Sequence, residues 1–230
     1  MKAYLLGALF GIVLLAGIVV LYGVTGSTDH AELTELLAGA PPGAVAVGVV
    51  AVLVGLLFKA GGVPGHFWVP DAAEGSGGAV AALVTTVPKI GAMVAIYRIV
   101  DLLPDTLAWP LLVAVLATAS MTLGNLAAHW QTDPRRLLGW STVSQVGYML
   151  VPVAVAGIVE SALPALLLYL AGYTVTNLAA FAVTTALPNI GRWIPTAASD
   201  APTRGWVPPS SSPCWASWVH HPPPSSRANC

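Results

Sequence analysis

Residues 56–71, LLFKAGGVPGHFWVPD, place a lysine, a chain break and a histidine at the end of a long apolar run. Lys59 comes just before Gly61, Gly62, Pro64 and Gly65, a cluster that stops any helix. His66, the aromatic pair Phe67 and Trp68, and Asp71 follow directly. The preceding segment, about residues 43–60, has the length and apolarity of a membrane helix. A Gly-Gly-x-Pro-Gly run there favours a discontinuous helix, which places free backbone groups and charges at membrane depth. An interfacial lysine snorkelling toward the headgroups is the competing reading of Lys59, and the residues alone leave the two open.

The remainder of the chain fits that setting. Of its 230 residues 56% are hydrophobic and 8% charged, against about 25% charged in soluble domains. Apolar segments recur at about 3–22, 43–60, 78–103, 107–129, 136–156 and 162–187, each near the length that crosses a hydrocarbon core. The expected fold class is therefore all-α, a polytopic membrane protein of about six transmembrane helices, some broken. A short helix is expected around Ala31–Leu37, along the surface. The first apolar stretch, Ala3–Tyr22, is too long for the core of a signal peptide and lacks a small-residue cleavage site, so it reads as a retained helix. A net charge of −1 gives no basic field for nucleic acid. The only cysteines, Cys214 and Cys230, imply neither a disulfide framework nor a metal cluster. With six spans and a cytoplasmic N-terminus, Lys2, Arg135, Arg136 and Arg192 fall on the same, cytoplasmic side. Asp71, Glu74 and Asp133 fall there too, while Asp29, Glu32, Glu35, Asp101, Asp105 and Glu160 lie opposite.

Lys89, in LVTTVPKIGAMVAIYRIV, is the strongest functional signal. A lysine at mid-helix costs roughly 2.5–3.5 kcal/mol to insert, and such residues face a bundle interior or a wet path. Pro88 removes a backbone donor just before it and loosens the helix. Desolvation eases proton loss from a buried lysine, and a histidine titrates near neutrality. Lys59, His66 and Lys89 together therefore have the makings of a proton path. Arg98 reads as an interfacial anchor. Asn125, Ser141, Thr142, Ser144 and Gln145 read as helix-joining polar groups, and Tyr148, Tyr169 and Tyr173 as packing or interface residues. Asp133-Pro134 reads as a helix start.

Three blocks carry a family resemblance. FKAGGVPGHFWVPDAAEG, with a second lysine thirty residues after Lys59, is similar to the pattern F-K-x-x-x-V-P-F-H-x-W-x-P-D-x-Y-x-G-A-P. GNLAAHWQTDPRRLLGWSTVSQVGYML (124–150) and YLAGYTVTNLAAFAV (169–183) fit the same source. Over about residues 1–190 the chain resembles the N-type antiporter-like membrane subunits of proton-pumping NADH:quinone oxidoreductase, the bacterial respiratory complex I. The resemblance implies that Lys59 is the central lysine on a broken helix, Lys89 the connecting lysine and His66 a polar neighbour between them. It further implies no cofactor in this chain: NADH, flavin, iron–sulfur and quinone sites belong to partner subunits, whose electron transfer drives proton movement. The partners implied are other membrane subunits and the lipid bilayer of the cell (inner) membrane, with no nucleic acid. A cation/proton antiporter subunit, a quinone- or hydrogenase-linked complex and a non-conducting remnant of an interrupted gene are the alternatives. Gly65 departs from the family's Phe, Gly75-Ser76-Gly77 from its proline-bearing G-A-P, and Gln145 stands where His is common. The family's membrane glutamate, which pairs with the central lysine, would lie upstream of Met1, and further helices downstream of the matched region.

The expected domain organisation is a partial antiporter-like helical domain, 1–190, followed by a Pro/Ser-rich tail, 191–230, that is disordered or frameshifted. From Ala201 onward the tail carries three tryptophans without membrane periodicity. Reading the third base of each codon with the first two of the next, from Cys214, permits L-G-L-V-G-T-P-P-T-A-V-F-A-G-K-L. That resembles the family's G-x-P-P-T-x-x-F-x-G-K motif. The gene's nucleotide sequence tests the expectation: the shifted frame encodes Pro-Pro-Thr and Gly-Lys-Leu, and a frame lacking both removes the frameshift.

Overall fold

The structure, a computed structural model, describes residues 2–103 and 108–186. The domain boundary placed at 190 and the whole tail lie outside the described residues. Among the described residues there are eight helices: α1 (Lys2–Thr25), α2 (His30–Gly39), α3 (Pro42–Ala60), α4 (Trp68–Gly75), α5 (Gly78–Asp101), α6 (Trp109–His129), α7 (Pro134–Ala154) and α8 (Ala162–Ala186). The all-α fold expected from the apolar runs is what forms.

Local chemistry sets the helix ends. Asp29 caps α2 by accepting from the Ala31 amide at 2.9 Å. Asp133 caps α7, accepting from the Arg135 and Arg136 amides at 2.8 and 3.0 Å, and Pro134 opens the first turn. The break after α3 is real. Gly61 takes a left-handed conformation at φ 79°, and its amide and that of Gly62 return to the Leu57 carbonyl at 2.8 and 2.9 Å. The chain then turns into the short helix α4.

Five helices, α1, α3, α5, α6 and α8, are long and apolar enough to cross a membrane. The sixth expected span, α7, has the length, 21 residues, but not the apolarity, and packs against α4, α5, α6 and α8. The chain is a multi-pass membrane protein. Apolar side chains such as Leu5, Ile12, Val19, Leu168 and Val175 are exposed on α1 and α8, as a lipid or subunit environment demands.

Small residues bring the helices together. A Cβ at Gly17 would come within 2.7 Å of the Gly48 carbonyl on α3, and Phe10 stacks on Phe58 with centroids 4.4 Å apart. Between α6 and α7 a Cβ at Gly147 would lie 2.6 Å from the Ala117 carbonyl. One at Gly124 would lie 2.5 Å from the Ser144 amide. Backbone atoms cannot move aside as a flexible side-chain end does. Gly147→Val is therefore expected to lower stability by about 1–3 kcal/mol, read as an earlier thermal transition in detergent. A transition unchanged from wild type would show that the α6/α7 contact is not this close.

Candidate functional site

Lys89 lies on α5 one residue beyond Pro88, inside the helix packing and 1% exposed. Its Nζ donates to the Thr142 carbonyl of α7 at 3.0 Å and sits 5.4 Å from the ring centroid of Tyr173 on α8, within reach of a cation–π contact. Both ion pairs found among the described residues belong to Arg136, so no carboxylate faces Lys89 there. An ammonium has three protons to place, and one carbonyl accepts only one of them.

A set of uncharged polar groups closes around this amine. Thr85 lies one helical turn before Lys89 on the same face of α5. The Tyr173 hydroxyl is 3.1 Å from the Thr85 carbonyl and 3.2 Å from Thr142 Oγ1. One turn further along α8, Asn177 Nδ2 donates to Thr85 Oγ1 and Thr86 Oγ1 at 2.9 and 2.8 Å. Thr85, Thr86, Thr142 and Asn177 are all buried. Buried polar groups are costly unless paired, and these are paired with one another across α5, α7 and α8.

Beside the cluster, between α7 and α8, is a cleft of about 530 Å³. Ser141, Gln145, Tyr169 and Thr176 supply its polar wall, and Tyr173 and Asn177 belong to both cleft and cluster. The Tyr169 hydroxyl donates to Gln145 Oε1 across the cleft.

The break holds the second group of candidates. Trp68 Nε1 donates to the Phe58 carbonyl at 2.8 Å, a second donor beside the Gly61 amide at 3.2 Å at the end of α3. The Val63 amide donates to Ser120 Oγ of α6 at 3.0 Å. Arg136 pairs with Asp71 at 3.1 Å and Glu74 at 2.7 Å on α4, and Arg135 donates to the Ser76 carbonyl at 3.1 Å. The acids expected on the basic side of the membrane therefore have local work: two pair with Arg136, and Asp133 caps α7.

The structure does not bring the three expected site residues together. Lys59 is exposed in the last turn of α3, where a cation is favoured by the free carbonyls of the helix end. Its neighbours Phe58 and Ala60 are buried, so the helix turns Lys59 away from the packed side. His66, half-buried, lies against α7 with its ring 5.7 Å from that of Trp140. No hydrogen bond among the described residues joins it to either lysine. Its Nδ1 and Trp140 Nε1 are buried without a partner among these residues. Burial pushes the His66 imidazole below its ordinary value of 6.5.

Sequence alone does not single out Thr85, Thr86 and Asn177, and it reads Tyr173 as a packing or interface residue. Their spacing was the available signal, since Thr85–Lys89 and Tyr173–Asn177 are each one turn apart on otherwise apolar helices. Ser144 does join helices as expected, donating to Asn125 Oδ1 at 2.9 Å.

The family described as NADH:quinone oxidoreductase/Mrp antiporter, TM, matches residues 1–205. NADH-quinone oxidoreductase subunit N of Mycobacterium sp. (strain JLS) is 69% identical over 189 residues, covering 82% of this chain and 40% of the relative. The chain thus spans about 40% of the length of the curated relatives it matches. Among solved structures, the Mrp complex from Dietzia sp. DQ12-45-1b aligns with a TM-score of 0.72 at 32% identity, covering 81% of this chain and 34% of that one. Respiratory complex I from Thermus thermophilus with bound Aureothin aligns at 0.66 and 33% identity, covering 80% and 40%.

The depressed His66 value has a testable sign. The unfolded chain takes up this proton more readily than the folded one, so stability is full above 6.5 and falls as pH drops below it. Melting in detergent at about pH 7.5 and about pH 5.5 should show a loss of stability at the lower pH, and His66→Gln should reduce that loss. An equal loss in the variant would mean that His66 is not desolvated.

Proposed function

This chain belongs to the NADH:quinone oxidoreductase/Mrp antiporter transmembrane family, and on that premise we propose that it is a proton-translocating membrane subunit of an NADH:quinone oxidoreductase. Lys89 is the group that takes up and releases the proton. The single observation that carries the reading is its burial: a primary amine held by one carbonyl, with no carboxylate beside it among the described residues. Such an amine is poised between two states. As –NH2 it needs no counter-charge, and as –NH3+ it requires an opposite charge, water or a polar rearrangement to be stabilised. A change of field from a neighbouring subunit can move it from one state to the other. Pro88 leaves α5 without one backbone donor at this level, and the surrounding hydroxyls give a proton-carrying water chain polar walls.

In this reading Lys59 is a second proton carrier at the break, exposed and so available to a group on another element or subunit. His66 lies on the α4/α7 side of that break. The NADH, flavin, iron–sulfur and quinone chemistry resides in partner subunits. The chain sits in the cell (inner) membrane with its N-terminus cytoplasmic, which places Lys59, α4 and the start of α7 on the cytoplasmic side. The match to an Mrp complex subunit favours one second reading, a cation/proton antiporter subunit using the same amine.

Lys89→Met in the complete complex tests the proposal. NADH-driven proton uptake by inside-out membrane vesicles should fall by about tenfold or more, while electron transfer from NADH to a soluble artificial acceptor is retained. Pumping at the wild-type level in an assembled complex would overturn the assignment. Proton uptake that requires added sodium and not NADH would establish the antiporter reading in its place.

A further inference from the structure

The tyrosine over Lys89 does more than fill space. Its side chain is at once a wall of the α7/α8 cleft and the cover over the Lys89 amine. Its hydroxyl has one proton and two acceptors within reach, the Thr85 carbonyl on α5 and Thr142 Oγ1 on α7, at nearly equal distances. Donation to one leaves the other with room for a different donor. Thr142 is also the residue whose carbonyl holds Lys89. The same tyrosine is therefore tied to both helices that define the amine's position.

We propose that Tyr173 is the gating and positioning residue for Lys89, holding its amine against the Thr142 carbonyl and separating it from water in the α7/α8 cleft. This rests on the proton-carrying reading of Lys89. When the hydroxyl bridges α5 and α7, the ring covers the amine and the cleft ends at Ser141, Gln145 and Thr176. When the bridge opens, cleft water reaches Nζ. A proton delivered by that water forms the third N–H bond of Lys89 and makes the ammonium, and loss of one of the three protons restores the amine. Asn177 stays bonded to Thr85 and Thr86 in either case, which keeps α8 in register while the ring moves.

The test uses inside-out vesicles carrying the complete complex, with Tyr173→Phe, which keeps the ring and deletes the bridge. Without NADH, passive proton leak should rise about fivefold, the population shift that losing one ordinary hydrogen bond produces. NADH-driven pumping per electron should fall. In the double variant Y173F/K89M the added leak should vanish, because it passes through Lys89. Thr142→Val, which removes one partner of the hydroxyl and keeps the carbonyl that holds Lys89, should leak in the same way and carries the test where Y173F does not assemble. A merely structural tyrosine would lower assembly without creating a leak that depends on Lys89. No added leak in assembled Y173F or T142V, or a leak that survives K89M, overturns the gate. K89M that pumps normally overturns the reading beneath it, whereas K89M that cannot pump beside a leak-free Y173F overturns the gate alone.

Discussion

One buried amine constrains the rest of this bundle. A lysine at the middle of a membrane helix costs roughly 2.5–3.5 kcal/mol to insert, and Lys89 has one carbonyl and one aromatic face to offset it. Hydroxyls and an amide on three helices fill the space around it, each bonded to another, so that no polar group of the cluster is left to oppose the apolar packing. A carboxylate at the same place would lock the charge in by mutual attraction. Neutral partners leave the amine without that lock, so that water or a charge brought near it can change its protonation state.

Lys59 and Lys89 show how far context decides the chemistry of a residue type. Both follow apolar runs and both lie within one turn of a helix irregularity. Lys59 ends α3, where the last turn's carbonyls favour a cation and the packed side of the helix is taken by Phe58 and Ala60. Lys89 sits past Pro88 in a helix that continues for three more turns, so its side chain has no route to an interface. The break that carries Lys59 is held by the Trp68 indole on the Phe58 carbonyl, by Ser120 on the Val63 amide and by Arg136 on two acids of α4.

Much of this was legible in the sequence, because apolar length and glycine–proline breaks act locally. The long helices, the Asp133 cap and the break at Gly61 follow from the nearest few residues, and the burial of Lys89 follows from its distance to either helix end. The exposure of Lys59 does not, since the rotation of α3 about its axis depends on which neighbours cover it. Tyr173, Thr142 and Asn177 were readable as polar residues in apolar helices but not as one cluster. Their common site exists only once α5, α7 and α8 are side by side. The segment at 136–156, expected as a span, falls short of the apolarity of the other five because of its polar residues, and it packs against four other helices as α7.

The low apolarity of α7 has a structural cause. Its first turn anchors α4 through Arg135 and Arg136. Trp140 lies against His66, and Thr142 holds Lys89 and faces Tyr173. Ser144 bonds Asn125 on α6, and Gln145 accepts from Tyr169 across the cleft. Within eleven residues of one helix, Arg135 to Gln145, polar contacts run to the break, to the buried amine, to the cleft and to α6. A helix so employed carries polar residues beside its buried apolar ones, Val146, Met149, Leu150 and Val153, which lowers its mean apolarity. The same arrangement couples two places that share no direct bond. A shift of α7 along its axis by a fraction of a turn would strain the Arg136 pairs at α4 and draw the Thr142 carbonyl away from Lys89 together. The buried Lys89 amine and the break that bears Lys59 are thus both held by contacts from α7.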